Sequence, residues 1–277
     1  MRLISVAAAA FAALLLTSAS SAQPTPKLEK PLTPTAAEAV APAATLPGVA
    51  TPTLTRPDLE SWLDGYMPYA LQRGDIAGAV VVVVKDGQIL LQKGYGYADV
   101  AKKKPVDAAD TLFRPGSVSK LFTWTAVMQQ VEQGKIDLDA DINTYLDFKM
   151  PAGPDAKPIT MRDVMTHTAG FEEAIKELIG KDAKNTPNLG AVVKRWTPTR
   201  IFSAGTTPAY SNYATGLAGY VVERTSGLDF DTYVERNIFA PLGMTSSSFR
   251  HQLPPALMAR MSKGYLLGSG KPGDYEI

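Results

Sequence analysis

"FRPGSVSK", residues 113–120, sets a serine directly after Pro115-Gly116 and a lysine three residues further on. Two readings compete. Ser117 can cap a helix that starts here, or it can be a nucleophile with its proton acceptor, Lys120, one helical turn away. A capping serine is typically followed at the third position by Glu or Gln, whose side chain reaches back to the free N–H of the cap. Lys120 cannot do that, and it places a cation in the first turn, where the helix dipole disfavours positive charge. A local rule broken without visible compensation points toward function. Taken alone the motif is weak, because Ser-x-x-Lys arises by chance roughly once in a chain of this length.

The spacing is chemically useful. Residues i and i+3 share a helix face, so the Lys120 amine can reach the Ser117 hydroxyl. Burial and a cationic or hydroxyl neighbour can bring a lysine to the neutral form that accepts a proton. The Ser117 N–H, at a helix N-terminus, suits a developing oxyanion. Together these features describe an acyl-transfer nucleophile that needs no histidine. The helix is expected to run from Ser117 to about Gln133 and to stop at Gly134. Apolar residues at 118, 121, 122, 124, 127, 128 and 131 predict that it is buried on most sides.

Composition removes the competing chemistries. The chain has no cysteine, which excludes a thiol nucleophile, disulfides and cysteine-ligated metal. His167 and His251 are its only histidines, and without an HExxH pair no zinc site is expected. No serine lies in a GxSxG elbow. A net charge of +1 supplies no field for nucleic acid or for an anionic membrane. No metal and no organic cofactor is expected.

A second segment supports the nucleophile. "TTPAYSNYATG", residues 206–216, places Tyr210-Ser211-Asn212 between a Gly-rich loop and a helical stretch. A tyrosine there can relay a proton to a leaving group, and an asparagine amide can orient a substrate carbonyl. The alternative is a tyrosine packed as a lid, with Asn212 capping the next helix.

Residues 1–22 read as a secretory signal peptide. Arg2 precedes an apolar core from Leu3 to Leu16, and Ser20-Ser21-Ala22 suits cleavage after Ala22. The protein is therefore expected in the periplasm or outside the cell. Residues 23–56, rich in Pro, Ala and Thr, read as an extended linker, and the folded domain is expected over 57–277. It should open with an amphipathic helix capped by Asp58 and ended by Gly74. A β-hairpin should follow: an apolar run from Ala79 to Val84, a turn at Asp86-Gly87, and a second strand from Gln88 that bulges or bends at Gly94 and Gly96. Lys102–Lys104 reads as a solvated turn. Residues 160–166 and 213–226 have helical spacing.

These segments together resemble the serine β-lactamase and penicillin-binding-protein family, in its class C-like branch with D-alanyl-D-alanine carboxypeptidases and related esterases. "TLFRPGSVSKLFT" is similar to the family's nucleophile segment and "MRDVMTHTAGF" to its Leu-Leu-Thr-His-Thr-Ser-Gly stretch. "YSNYATGLAGYVVERTSG" is similar to its Tyr-x-Asn segment, and "PLGMTSSSF" to its Pro-Leu-Gly-Met turn. Four matches in the right order, from about Asp58 to Phe249, are far more specific than any one. The resemblance implies an α+β fold: an antiparallel sheet flanked by helices, with a mostly helical lobe. It also implies Ser117 as the acylated nucleophile, Lys120 as its proton acceptor, Tyr210 as proton relay and Asn212 as a substrate-binding amide. His167 is expected to support a loop by hydrogen bonds. The implied substrate is a small molecule or peptide: a β-lactam, a D-Ala peptide or an ester.

One part of the pattern is missing. The family carries a third motif, Lys or His followed by Thr or Ser and Gly, on a strand beside the nucleophile. Lys271-Pro272-Gly273 comes too soon after Asn212, and Pro272 has no N–H to give to a strand ladder. With only two strands expected over 79–97, the C-terminal strands are read as absent, and the chain as a C-terminally incomplete hydrolase. The alternative is a non-catalytic homologue that binds penicillin or peptide, or an inactive fragment.

Overall fold

The computed structural model describes residues 53–173, 187–267 and 275–276. The expected signal peptide, the linker up to residue 52 and Lys271-Pro272-Gly273 lie outside the described residues.

Helix α1 spans Arg56–Arg73. Its cap is Thr55 rather than Asp58: the Thr55 hydroxyl oxygen accepts the Asp58 N–H at 3.4 Å. The reason is Pro57, whose preset φ and missing N–H suit the first helical turn and draw the start of the helix upstream. Gly74 ends it, as expected.

Strands β1 (Gly78–Lys85) and β2 (Gln88–Asp99) form the hairpin. Asp86 and Gly87 both take positive φ, 51° and 73°, which matches a two-residue turn to the strand twist. The β1–β2 pairing shifts register between Val83 and Val84, and Gly96, at φ 67°, bends the end of β2 as expected. A third strand, β3 (Lys104–Pro105), pairs with β2, so the antiparallel sheet runs β1-β2-β3. Helix α1 covers one face, where Leu63, Leu71, Leu91 and Tyr95 bury one another against Ala79, Val81 and Val83. At that interface Lys93 Nζ bridges Glu60 and Asp64, at 2.8 Å each, and the Tyr95 hydroxyl donates to Asp64 at 3.0 Å.

The remaining elements form the helical lobe. A 3₁₀ turn, Gly116–Ser119, leads into α2 (Lys120–Glu132). Then come α3 (Met161–Met165), α4 (Leu189–Arg195), α5 (Asn212–Ser226), α6 (Phe230–Val234, continuing as a π turn to Phe239) and α7 (Pro255–Met258). Helix α5 is the centre of the core. Its Ala214, Leu217, Ala218, Val221 and Val222 are fully buried, and α2, α3, α4 and α6 all pack on it. A short antiparallel pair, β4 (Leu266–Leu267) with β5 (Tyr275–Glu276), lies near the C-terminal end.

Helix α2 meets the expectation of burial on most sides except along one stripe. Thr123, Ala126, Val127 and Gln130 are buried, with α5 as the main neighbour and Gln130 donating to the Tyr233 hydroxyl of α6 at 2.9 Å. Val118, Leu121 and Met128 are exposed, at 68%, 61% and 44%. Phe122, Trp124 and Val131 are half-buried against the core, with α6 and the π turn after it also packing on α2, so apolar spacing is matched by neighbours everywhere except along that stripe. Gly134 ends the helix region with φ 71°, as expected.

Backbone hydrogen bonds tie the approach to Ser117 into the rest of the domain. Leu112 donates to the Arg260 carbonyl at 2.9 Å and accepts from Ser262 at 2.8 Å. Lys263 donates to Ala98 at 2.8 Å, and the Tyr265 hydroxyl accepts the Val100 N–H at 2.7 Å. The segment 260–265 thus joins Leu112 to the end of β2.

Candidate active site

The question raised by Ser117 is answered by what its hydroxyl does. Neither the 3₁₀ turn nor α2 has a side-chain cap. The Ser117 oxygen instead lies 2.6 Å from the Tyr210 hydroxyl and accepts from Lys120 Nζ at 3.1 Å. A genuine capping box exists elsewhere, at the start of α3. There Thr160 accepts the Asp163 N–H, and the Asp163 carboxylate takes the Thr160 N–H in return. The contrast is one of residue type. Asp163 stands where the box requires an acceptor, while Lys120 stands at the same offset from Ser117 and turns to a different task.

Gly116 makes the exposure of Ser117 possible. Its φ is 57°, a left-handed conformation, and a Cβ there would meet nothing within 4 Å. The glycine is needed for backbone conformation and not for space. Being exposed, Ser117 presents its oxygen to solvent, and its N–H belongs to the first turn, where such groups have no intrahelical partner.

Tyr210 and Asn212 arrive from the other side, Tyr210 on the loop before α5 and Asn212 as the first residue of that helix. Ser211 is the cap of that helix: its hydroxyl accepts the Ala214 N–H at 3.1 Å. Asn212 is therefore free of capping. Its Oδ1 accepts from Lys120 Nζ at 2.6 Å, so Lys120 spans from Asn212 to Ser117. Lys120 Nζ also stands 4.7 Å from the centre of the Tyr210 ring. Hydrogen bonding from Lys120 and then Ser117, with the charge of Lys120, holds the Tyr210 phenol below its ordinary pKa, against a partial offset from burial and, less, from Glu173. Its proton is accordingly easier to move than that of an ordinary tyrosine.

His167 lies behind this cluster. Its φ of 56° turns the loop left-handed, and its carbonyl accepts the Ala209 N–H at 2.7 Å. Its Nδ1 accepts the Ser211 N–H at 3.2 Å, and its ring packs on Tyr210 with centroids 4.7 Å apart and on the edge of Trp124. Burial, followed by the charge of Lys120, lowers its pKa, against a partial offset from Glu173. The neutral ring is what an Nδ1 acceptor requires. The loop is held further by Gly170, whose carbonyl accepts from Ile201 at 2.8 Å and from Phe202 at 3.2 Å. At φ 85°, a Cβ on Gly170 would collide with the Phe202 carbonyl.

The four residues singled out from sequence, Ser117, Lys120, Tyr210 and Asn212, therefore converge. One participant was not singled out. Glu173, exposed and three residues beyond Gly170, accepts from the Asn212 Nδ2 at 2.7 Å and from the Asn212 backbone N–H at 3.1 Å. The only trace of it in sequence is the acidic pair Glu172-Glu173, directly after Phe171 at the end of the "MRDVMTHTAGF" stretch. Chemically, the arrangement is an exposed hydroxyl at a helix start, with a cation and a phenol of lowered pKa both in hydrogen-bond reach.

The chain is similar to known proteins over most of the described domain. "Protein flp" of Staphylococcus aureus (strain N315) is 28% identical over 197 residues, covering 70% of this chain and 39% of the relative. Among solved structures, the hydrolase EstCE1, described as having promiscuous acyltransferase activity, superposes with a TM-score of 0.66 at 26% identity. That match covers 76% of this chain and 57% of the other. A class C beta lactamase superposes with a TM-score of 0.63 at 28% identity, over 78% of this chain and 57% of that one. The chain thus spans well under two thirds of the length of each of these relatives. The beta-lactamase family model matches residues 60–265, most of the described domain, and the chain belongs to the beta-lactamase family.

Proposed function

We propose that the protein is an exported serine hydrolase that works through an acyl-enzyme on Ser117, attacking an amide, β-lactam or ester carbonyl. The observation that carries this reading is the placement of the Ser117 oxygen between Tyr210, at 2.6 Å, and Lys120, at 3.1 Å, with no capping duty. Membership of a family whose members are serine hydrolases supports the reaction class. Export rests on the N-terminal sequence alone.

In the first step the Ser117 oxygen forms a bond to the carbonyl carbon, and the carbonyl π pair moves to oxygen beside the Ser117 N–H. The Ser117 proton passes to the Lys120–Tyr210 pair. Tyr210 is the nearer acceptor, and the adjacent Lys120 cation favours its phenolate. Collapse of the intermediate expels the leaving atom, which takes the proton back from Tyr210. A water then attacks the ester carbonyl, giving its proton to Tyr210, and Ser117 recovers a proton as it departs.

The test is labelling of the protein with a fluorescent penicillin and a fluorophosphonate, alongside turnover of p-nitrophenyl esters, a chromogenic β-lactam and a D-Ala-D-Ala peptide. Covalent label that disappears in Ser117→Ala, together with turnover, is the expected result. No label from either probe, or label that survives Ser117→Ala, overturns the nucleophile. Label without any turnover supports instead a penicillin- or peptide-binding homologue.

A further inference from the structure

We propose that Glu173 is a positioning residue for Lys120, acting through the side-chain amide of Asn212. The inference rests on the acyl-enzyme reading above, and it adds a residue to that site.

The chain of contacts is short and has a direction. Lys120 Nζ is a donor with no acceptor capacity, so the atom of Asn212 that faces it at 2.6 Å must be the carbonyl oxygen. A carboxylate accepts only, so the atom of Asn212 that faces Glu173 at 2.7 Å must be the amide nitrogen. Both neighbours therefore demand the same orientation of an amide that is otherwise nearly symmetric in shape. Remove Glu173 and only Lys120 still selects it.

Glu173 is itself well anchored for this purpose. Its second oxygen accepts the backbone N–H of Asn212 at 3.1 Å, so the carboxylate grips main chain and side chain of one residue. Asn212 is the first residue of α5, and a carboxylate at a helix N-terminus is favoured by the helix dipole. The result is a line Glu173–Asn212–Lys120–Ser117 in which each contact fixes the next. One N–H of the Asn212 amide is spent on Glu173, so this asparagine holds the lysine in place besides any contact it makes with substrate.

The consequence is kinetic. Losing the clamp lets the amide turn and Lys120 drift from the Ser117 oxygen, which slows chemistry without removing a substrate contact. The experiment compares wild type, Glu173→Ala and Glu173→Gln for hydrolysis of p-nitrophenyl butyrate, with thermal unfolding to verify folding. Glu173→Ala is expected to lower kcat roughly ten- to a hundredfold, the scale for a misplaced catalytic group, with KM within about twofold. Glu173→Gln is expected to recover most of that loss, because its carbonyl oxygen still accepts from Asn212. An unchanged kcat in Glu173→Ala, or a Glu173→Gln variant as slow as Glu173→Ala, overturns the proposal. A second readout is independent of turnover: the Asn212 side-chain ¹H–¹⁵N signals, assigned by their loss in Asn212→Asp. They should move strongly in Glu173→Ala and stay near wild type in Glu173→Gln. If wild type hydrolyses no ester and takes no label, the acyl-enzyme reading fails, while these signals still decide whether Glu173 orients Asn212.

Discussion

His167 Nδ1 accepts the backbone N–H of Ser211 at 3.2 Å, so the histidine nearest the nucleophile is engaged in holding the loop that delivers Tyr210 and Asn212. That N–H belongs to a residue only 1% exposed, so no water can readily replace the acceptor. His167→Phe keeps ring packing against Tyr210 and Trp124 but leaves the Ser211 N–H unpaired. The expected cost is about 1–3 kcal/mol of stability, measured by denaturant unfolding.

The same bond sets a pH dependence. Burial and Lys120 lower the His167 pKa in the folded state, so between that value and the unfolded value near 6.5 the unfolded chain binds more protons. Stability from this group is complete above about pH 6.5 and is lost as pH falls through the lowered folded value. Wild type should therefore lose melting temperature between pH 7 and 5 more steeply than His167→Phe. Equal slopes in the two proteins would assign the titration to another group.

Tyr210 gives the second pH signature. Its phenol sits below the ordinary value near 10, chiefly through Lys120 and then Ser117. If the phenolate takes the Ser117 proton, acylation rises with pH through that lowered value and levels off beyond it. Tyr210→Phe removes the rising limb and lowers the acylation rate roughly 10²–10⁴-fold, the usual contribution of a positioned acid–base group. Burst kinetics with an activated ester from pH 6 to 10 read both effects. A Tyr210→Phe protein with an intact limb would move the role to Lys120.

Two glycines near the site should separate conformational strain from collision. Gly116 at φ 57° has open space around it, so Gly116→Ala should cost only about 1–2 kcal/mol and leave a folded protein with a misdirected Ser117. Gly170 at φ 85° has the Phe202 carbonyl where its Cβ would go, so Gly170→Ala carries the same strain plus a backbone clash. Its melting temperature should fall well below that of Gly116→Ala. Labelling of Gly116→Ala should slow more than its stability loss explains.

What could be read from sequence was what is written in short segments. Ser117 and Lys120 share one turn, Tyr210 and Asn212 one triplet, and the Asp86-Gly87 turn lies between two apolar runs, so site and hairpin were legible without contacts. Glu173 was not, because its role exists only across the thirty-nine residues that separate it from Asn212 in sequence. Strand β3, two residues long and ending in Pro105, has no periodicity to detect. At the start of α1, Thr55 and Asp58 are both good capping residues, and only the geometry of Pro57 decides between them.

Helix α2 tests the difference between apolar pattern and burial. Val127 is 0% exposed against α5, whereas Leu121 is 61% exposed on the opposite side. Val127→Ala removes two buried methyl-sized groups and opens a cavity, which should cost about 2 kcal/mol. Leu121→Ala removes more carbon but mostly from water, and should cost below about 0.5 kcal/mol. The reversed order of cost and size is the signature of an apolar stripe left exposed. It is measured by urea unfolding of both variants, with equal m-values required for the comparison. Should Leu121→Ala instead cost the roughly 2–5 kcal/mol of a buried leucine, the outer stripe of Val118, Leu121 and Met128 is covered in solution. That outcome would extend burial to every apolar position of the helix.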